Sequence, residues 1–130
     1  MKTDIDIKDD LYRFINGSLL HSNTNGSLLK TKRDDNSHKE DIVISVNANM
    51  MAQLQEAYVY VNIYVQNVLR DTVYIENTER LRELCKLSQE LLDVGRIDGA
   101  RFKLEEQRVI EADTNEHVIT NKLRYKQCNE

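Results

Sequence analysis

The strictest pattern in the chain is an alternation of apolar and polar positions over residues 57–65, AYVYVNIYV. The odd positions carry small or β-branched apolar side chains, and the even positions carry Tyr58, Tyr60, Asn62 and Tyr64. Successive side chains of a strand point to opposite faces. The segment therefore predicts a strand with one core face and one amphipathic tyrosine face, which either packs beneath a helix or forms part of an interface.

Weaker alternation predicts further strands. Residues 41–47, DIVISVN, place Ile42, Ile44 and Val46 on one face, and β-branched residues favour strands. Residues 102–113 and 116–127 show broken alternation around the turn-forming DTN of 113–115, which indicates a closing hairpin. A short run, SLLKTK (27–32), is a further strand candidate.

Two segments show helical spacing. In residues 5–16, one face carries Ile7, Leu11, Phe14 and Ile15, with Asp4 or Asp6 as N-cap and Gly17 as the stop. In residues 77–94, the apolar stripe includes Leu81, Leu84, Cys85, Ser88, Leu91 and Leu92. We expect Asn77 or Thr78 to cap the second helix, Gly95 to end it, and Cys85 to be a small core side chain.

Polar segments separate these elements. Residues 16–26, NGSLLHSNTNG, predict a turn-rich linker from which Leu19 and Leu20 return to the core. Residues 33–41, RDDNSHKED, predict a solvated loop or a hairpin tip. A second connection, before the tyrosine strand, carries Met50, Met51 and Leu54. The order of elements predicts an α+β domain with a mostly antiparallel sheet and two helices packed on one face.

Composition narrows the class of protein. A length of 130 residues predicts one domain, residues 1–130. Lys and Arg number 18 against 22 Asp and Glu, a net charge of −4, which disfavours general binding to nucleic acid. No run approaches the roughly 18 apolar residues of a membrane helix, and the N-terminus is too polar for a signal peptide. We therefore expect a soluble protein made in the cytoplasm.

Catalytic and metal-binding patterns are missing from the sequence. His21, His38 and His117 lie in polar surroundings without a nucleophile motif or metal-ligand spacing, so we expect surface histidines. Cys85 and Cys128 form no CxxC pair and are expected to be reduced thiols. Four glycines and no proline leave no Gly-rich phosphate loop. The expectation is a protein that is not an enzyme and has no cofactor or metal.

Several segments together resemble one family. They are DDLYRFING, KEDIVISV, QEAYVYVNIYV, ERLRELCKLSQELLD and HVITNKLRYKQ. In local sequence and in order they resemble the small tail-terminator, or tail-completion, proteins of long-tailed phages, of the minor tail protein U type. The resemblance spans nearly the whole chain, and that family has no catalytic motif.

The resemblance implies a structural function. Such proteins assemble as a ring, often a hexamer, that caps the tail tube and provides the surface to which the filled head docks. The implied partners are further copies of the chain, the tail-tube protein and the head-tail connector protein, in the virion, with DNA met only as it passes through the ring. The implied interface candidates are Tyr58, Tyr60, Tyr64, Arg33, Asp34, Asp35, His38 and Lys39.

Two other functions remain open at the level of sequence. One is a non-viral adaptor domain that binds a protein partner through the tyrosine face or the loop at 33–41. The other is an enzyme or a nucleic-acid binder whose site has no recognisable motif.

Overall fold

The computed structural model describes residues 2–48, 56–97, 99–112 and 115–127. Three helices are present, α1 (Asp4–Ile15), α2 (Leu19–Asn23) and α3 (Thr78–Leu92). The strands are β1 (Leu28–Leu29), β2 (Ile42–Ala48), β3 (Glu56–Gln66), β4 (Val68–Arg70), β5 (Val73–Ile75), β6 (Val94–Ile97), β7 (Ala100–Ala112) and β8 (Glu116–Gln127). This arrangement confirms the predicted α+β class.

Six strands form one curled sheet in the order β1-β2-β3-β8-β7-β6. β1 runs parallel to β2, and every other neighbouring pair is antiparallel. The odd positions of β3 are buried, as its alternation predicts. They pack with apolar side chains of α1 and α3 in a single core, so the helices cover this inner face of the sheet.

The first helix begins one position earlier than predicted. Thr3, and not Asp4 or Asp6, is the N-cap of α1. Its hydroxyl accepts from the backbone N–H of Asp6, while the Asp6 carboxylate accepts from the backbone N–H of Thr3 at 2.9 Å. This reciprocal capping box satisfies two N–H groups that the helix itself leaves without a partner.

The end of α3 also differs from the prediction. Asn77 caps the helix as expected, accepting from the backbone N–H of Arg80, but Gly95 does not end it. Gly95 lies inside β6, opposite Phe102 of β7. A Cβ at this position would overlap the Phe102 ring. The glycine is therefore required by close packing and not by a helix terminus.

The segments between the main elements agree only in part with the sequence predictions. The linker contains α2, capped by Ser18, and buries Leu20 while Leu19 stays 74% exposed. The strand candidate at 27–32 is reduced to the two residues of β1. Because β1 and β2 are parallel, residues 33–41 form a loop between parallel strands and not a hairpin tip. Met50, Met51, Leu54 and Cys128 lie outside the described residues.

The closing hairpin of β7 and β8 is confirmed. Its broken alternation has a structural cause, since a β-bulge shifts the register between Leu104 and Glu106. No sequence pattern indicated the separate two-stranded hairpin of β4 and β5. Its turn residues Asp71 and Thr72 have φ angles of 48° and 69°. A turn with two positive φ angles is usually predicted from an Asn-Gly pair, which is not present at these positions.

Candidate interaction surfaces

The even positions of β3 place the three predicted tyrosines on the outer face of the sheet. Tyr58, Tyr60 and Tyr64 are each half-buried. Because the two long helices pack on the opposite face, the expectation that these rings lie beneath a helix is wrong. Lys122 covers part of the Tyr58 ring, and Arg33 covers part of the Tyr64 ring.

A loop cation covers one end of this face. The Arg33 guanidinium lies 4.1 Å from the centre of the Tyr64 ring, a cation–π distance. Its Nε donates to Asp41 Oδ2 at 2.7 Å, and its two terminal nitrogens donate to the Glu116 carboxylate at 2.7 and 3.2 Å. It also donates to the Lys39 carbonyl at 2.8 Å. These contacts hold the two ends of the loop together and fasten the loop to the start of β8.

The charges in this cluster are stabilised. Burial opposes ionisation of Asp41, but hydrogen bonds from the Ser27 backbone, Ser37 and Arg33 outweigh it and hold the pKa of this carboxyl below its ordinary value. Burial likewise opposes the charge on Arg33, and the hydrogen bonds to Glu116 and Asp41 nevertheless raise its pKa. Asp41 and Arg33 therefore stay charged and hydrogen-bonded to each other, which fits a structural anchor and not a proton-transfer site.

The side chains of the other predicted loop residues do not join this cluster, and Lys39 contributes only its backbone carbonyl. Asp34, Asp35, His38 and Lys39 are exposed on the loop. Asp35 pairs at 3.3 Å with Lys32, and both side chains are about four-fifths exposed. Of the eight predicted interface residues, Arg33 contacts two others, the Tyr64 ring and the Lys39 carbonyl.

A second anchor connects the same loop with α3. Arg80 donates to both carboxylate oxygens of Glu40, at 2.6 and 2.7 Å, and to the Asn23 carbonyl at 2.5 Å. The hydrogen bond to Glu40 raises the pKa of the Arg80 guanidinium. Arg80 lies outside the apolar stripe of α3, and no sequence pattern indicates that it pairs with Glu40, 40 positions earlier in the chain.

The histidines and the described cysteine remain outside any reactive arrangement. His38 is exposed as expected, but His21 and His117 are half-buried. His21 accepts from the Gly17 backbone N–H, and His117 contacts the Asn67 side chain at 2.7 Å. Burial raises the pKa of the half-buried Cys85 thiol. In the described part of the chain, no group of His, Cys, Asp and Glu is arranged to hold a metal ion.

The β4–β5 hairpin, residues 68–75, carries four of the exposed large apolar side chains found among the described residues. Leu69 is 58% exposed, Val73 57%, Tyr74 54% and Ile75 41%. The hairpin pairs only within itself, because its strands form a separate two-stranded sheet. A two-stranded hairpin is marginally stable alone, and this one presents apolar side chains without a protein layer over them.

The outer face also carries a basic cluster, which we define as Arg96, Arg101, Lys103, Lys122, Arg124 and Lys126. The pairing register places Arg101 opposite Lys126 and Lys103 opposite Arg124. The sequence signal for this cluster is the spacing of cations at alternate positions in RFK (101–103) and KLRYK (122–126). Alternate positions of a strand share a face, so this spacing predicts a local basic surface. The net negative charge of the whole chain does not reveal such a surface.

No protein-family model and no curated protein matches this chain. Among the described residues, no helix has both the length and the apolar character needed to cross a membrane.

Proposed function

We propose that this protein is a structural, ring-forming component of a long-tailed phage, of the tail-terminator type, which caps the tail tube and joins it to the head. The observation that carries its role in assembly is the exposed apolar surface of the β4–β5 hairpin. The choice of a ring on the tail tube, among possible assemblies, rests on the resemblance of the sequence to tail-terminator proteins. The proposal assigns the protein no catalytic activity.

The hairpin favours assembly for a physical reason. Exposed apolar area is costly in water, and burying it contributes about 25 cal/mol per Å². Leu69 and Tyr74 share one face of the hairpin, and Val73 and Ile75 share the other. Exposed apolar surface commonly marks a binding site. A hairpin that projects from one subunit and meets a different surface of the next forms a heterologous contact, and such contacts close into a ring when the rotation permits.

The anchored loop supports a second contact surface. Arg33 and Arg80 fix the two ends of the loop, while the tip between them exposes charged side chains. A tip held in this way loses little conformational entropy on binding. We assign Asp34, Asp35, His38 and Lys39 to contacts with the tail tube or the head-tail connector, in the virion.

The experiment is to mix the purified protein with tail tubes assembled from the tube subunit encoded by a neighbouring gene, and to image them by negative stain. The proposal predicts a ring of density at one end of each tube and tubes of arrested length. Tubes that keep growing, with no added density, would contradict it. Tight monomeric binding to a host protein would instead support the adaptor function.

A further inference from the structure

The basic cluster forms a grid on three adjacent strands. Arg96, Arg101 and Lys126 are consecutive partners across β6, β7 and β8, and Lys103 faces Arg124 one pleat further along. Neighbouring strands lie about 4.8 Å apart, and alternate residues of one strand about 6.7 Å apart. Like charges placed directly opposite each other destabilise a sheet, so this grid carries an electrostatic cost.

Nearby carboxylates compensate part of that charge, and one of them, Glu106, lies opposite Lys122 in the register. Glu56 accepts from Arg124 at 2.9 Å and lies 3.8 Å from Lys126, and Glu105 lies 3.7 Å from Arg124. Arg96, Arg101 and Lys103 are exposed and form no ion pair with any carboxylate in the described ranges. A depression of about 730 Å³ opens over the cluster, and its lining includes Arg101, Lys103, Arg124 and Lys126.

Aromatic rings continue this surface on β3. In the register, Tyr58 lies beside Arg124 and Tyr60 beside Lys122. The Lys122 ammonium is 4.3 Å from the centre of the Tyr58 ring. Tyr60 lines a small depression together with Arg108 and Lys122. Both rings are half-buried, and the long helices lie on the other side of the sheet.

We propose that this end of the outer face, the basic cluster with Tyr58 and Tyr60, binds single-stranded nucleic acid. Phosphates contact the cations of β6, β7 and β8, and bases stack on the two tyrosines. Cations beside stacking aromatics are the combination that sequence-independent single-strand binders use. A sheet face with exposed aromatics is likewise a recurring platform for single-stranded RNA. This inference is independent of the role in tail assembly.

The arrangement favours a polymer over a small anion. The cations spread over three strands of an open surface and do not converge on one point. An acidic protein segment would satisfy the charges, but it would leave the tyrosine rings without planar groups to stack on. The net charge of −4 does not oppose the inference, because it is summed over the whole chain while binding responds to the local field.

The test is fluorescence anisotropy of the full-length protein with a labelled thymidine oligonucleotide across a salt series. The double variant Arg101→Gln, Lys103→Gln is compared with Arg82→Gln, Lys86→Gln on α3, which removes the same two charges elsewhere. We expect the first variant to bind about ten-fold or more weakly at low salt. Its plot of log affinity against log salt should be shallower by about 1.4, because each single-strand phosphate contact contributes about 0.7.

A second pair of variants tests the stacking. Tyr58→Leu keeps an apolar side chain but removes the ring, and Tyr74→Leu makes the same change on the β4–β5 hairpin. Loss of one stacked base is expected to weaken binding by about five-fold or more for Tyr58→Leu only. Circular dichroism spectra of each variant are to be recorded as the control for folding.

Several outcomes would overturn the proposal. They are an absence of binding at low salt, equal losses in the two charge variants, equal or tighter binding to the matching duplex, and equal or tighter binding to polyglutamate. Tighter binding to polyglutamate would assign the surface to an acidic protein partner.

Discussion

Arg33 and Glu116 are separated by 83 positions in the sequence, yet the guanidinium of one donates to both carboxylate oxygens of the other. The side chains are 12% and 4% exposed. Arg33 also reaches Asp41, so one cation holds two buried carboxylates. This contact fixes the loop across the end of the outer face, next to Tyr64.

Removing that cation should destabilise the fold strongly. Arg33→Ala leaves Asp41 and Glu116 buried without their common partner, and breaking a buried pair in this way costs about 3 kcal/mol or more. Urea denaturation measures the loss in the free energy of unfolding. The matched control is Lys32→Ala, whose pair with Asp35 is exposed and should contribute about 0.5 kcal/mol or less. Equal effects of the two substitutions would contradict the structural role of Arg33.

The same cluster predicts a dependence of stability on pH. The folded pKa of Asp41 is lowered below its unfolded value, which is about 3.9. Its contribution is therefore complete above about pH 5 and is lost as the pH falls through 3.9 towards the folded pKa. Asp41→Asn removes this titration, so the stability difference between wild type and variant should shrink between pH 7 and pH 3. A difference that stays constant or grows on acidification would show that Asp41 is not stabilised as a carboxylate.

The fold was predictable where a sequence pattern is compatible with only one local structure. β3 was assigned because one of its faces is buried along its length, so each odd position must be apolar. Gly95 was misassigned because a glycine after a helical stripe usually ends the helix, whereas here Phe102 requires the space. α2 was missed because LLHSN is short and polar, and Ser18 supplies its cap.

Gly95 gives a direct test of that packing. Gly95→Ala places a methyl group where the Phe102 ring lies, and overpacking of this kind costs about 1–3 kcal/mol. Differential scanning calorimetry should show a lower Tm for the variant. Adding Phe102→Leu should restore part of the stability lost in Gly95→Ala, since the smaller side chain leaves room for the methyl group. An unchanged Tm in Gly95→Ala would contradict the close approach of β6 to β7.

The tyrosines of β3 should be dispensable for folding. Tyr58→Ser with Tyr60→Ser changes two half-buried outer positions, so the chain should still unfold cooperatively and lose about 2 kcal/mol or less. Val61→Ser, on the same strand but fully buried, serves as the comparison and should cost more on its own. Loss of the folded state in the tyrosine variant would mean that the rings belong to the core.

The interaction surfaces were less predictable than the fold because they depend on register. The sequence places cations at alternate positions of two segments, but only the pairing of β6, β7 and β8 makes them one cluster. The carboxylate partners of Arg33 are Asp41, directly before β2, and Glu116, the first residue of β8, and no local spacing indicates that they meet. The β4–β5 hairpin was missed because Asp71 and Thr72 take positive φ angles without a glycine.

The most direct test of the proposed assembly is the solution mass of the protein by light scattering over a concentration series. It compares the wild type with Val73→Ser, Tyr74→Ser, two exposed hairpin positions whose change should leave the circular dichroism spectrum unaltered. We predict that the wild type rises to a closed oligomer of fixed subunit number and that the variant stays monomeric. An identical mass for both proteins at every concentration would contradict assembly through the hairpin.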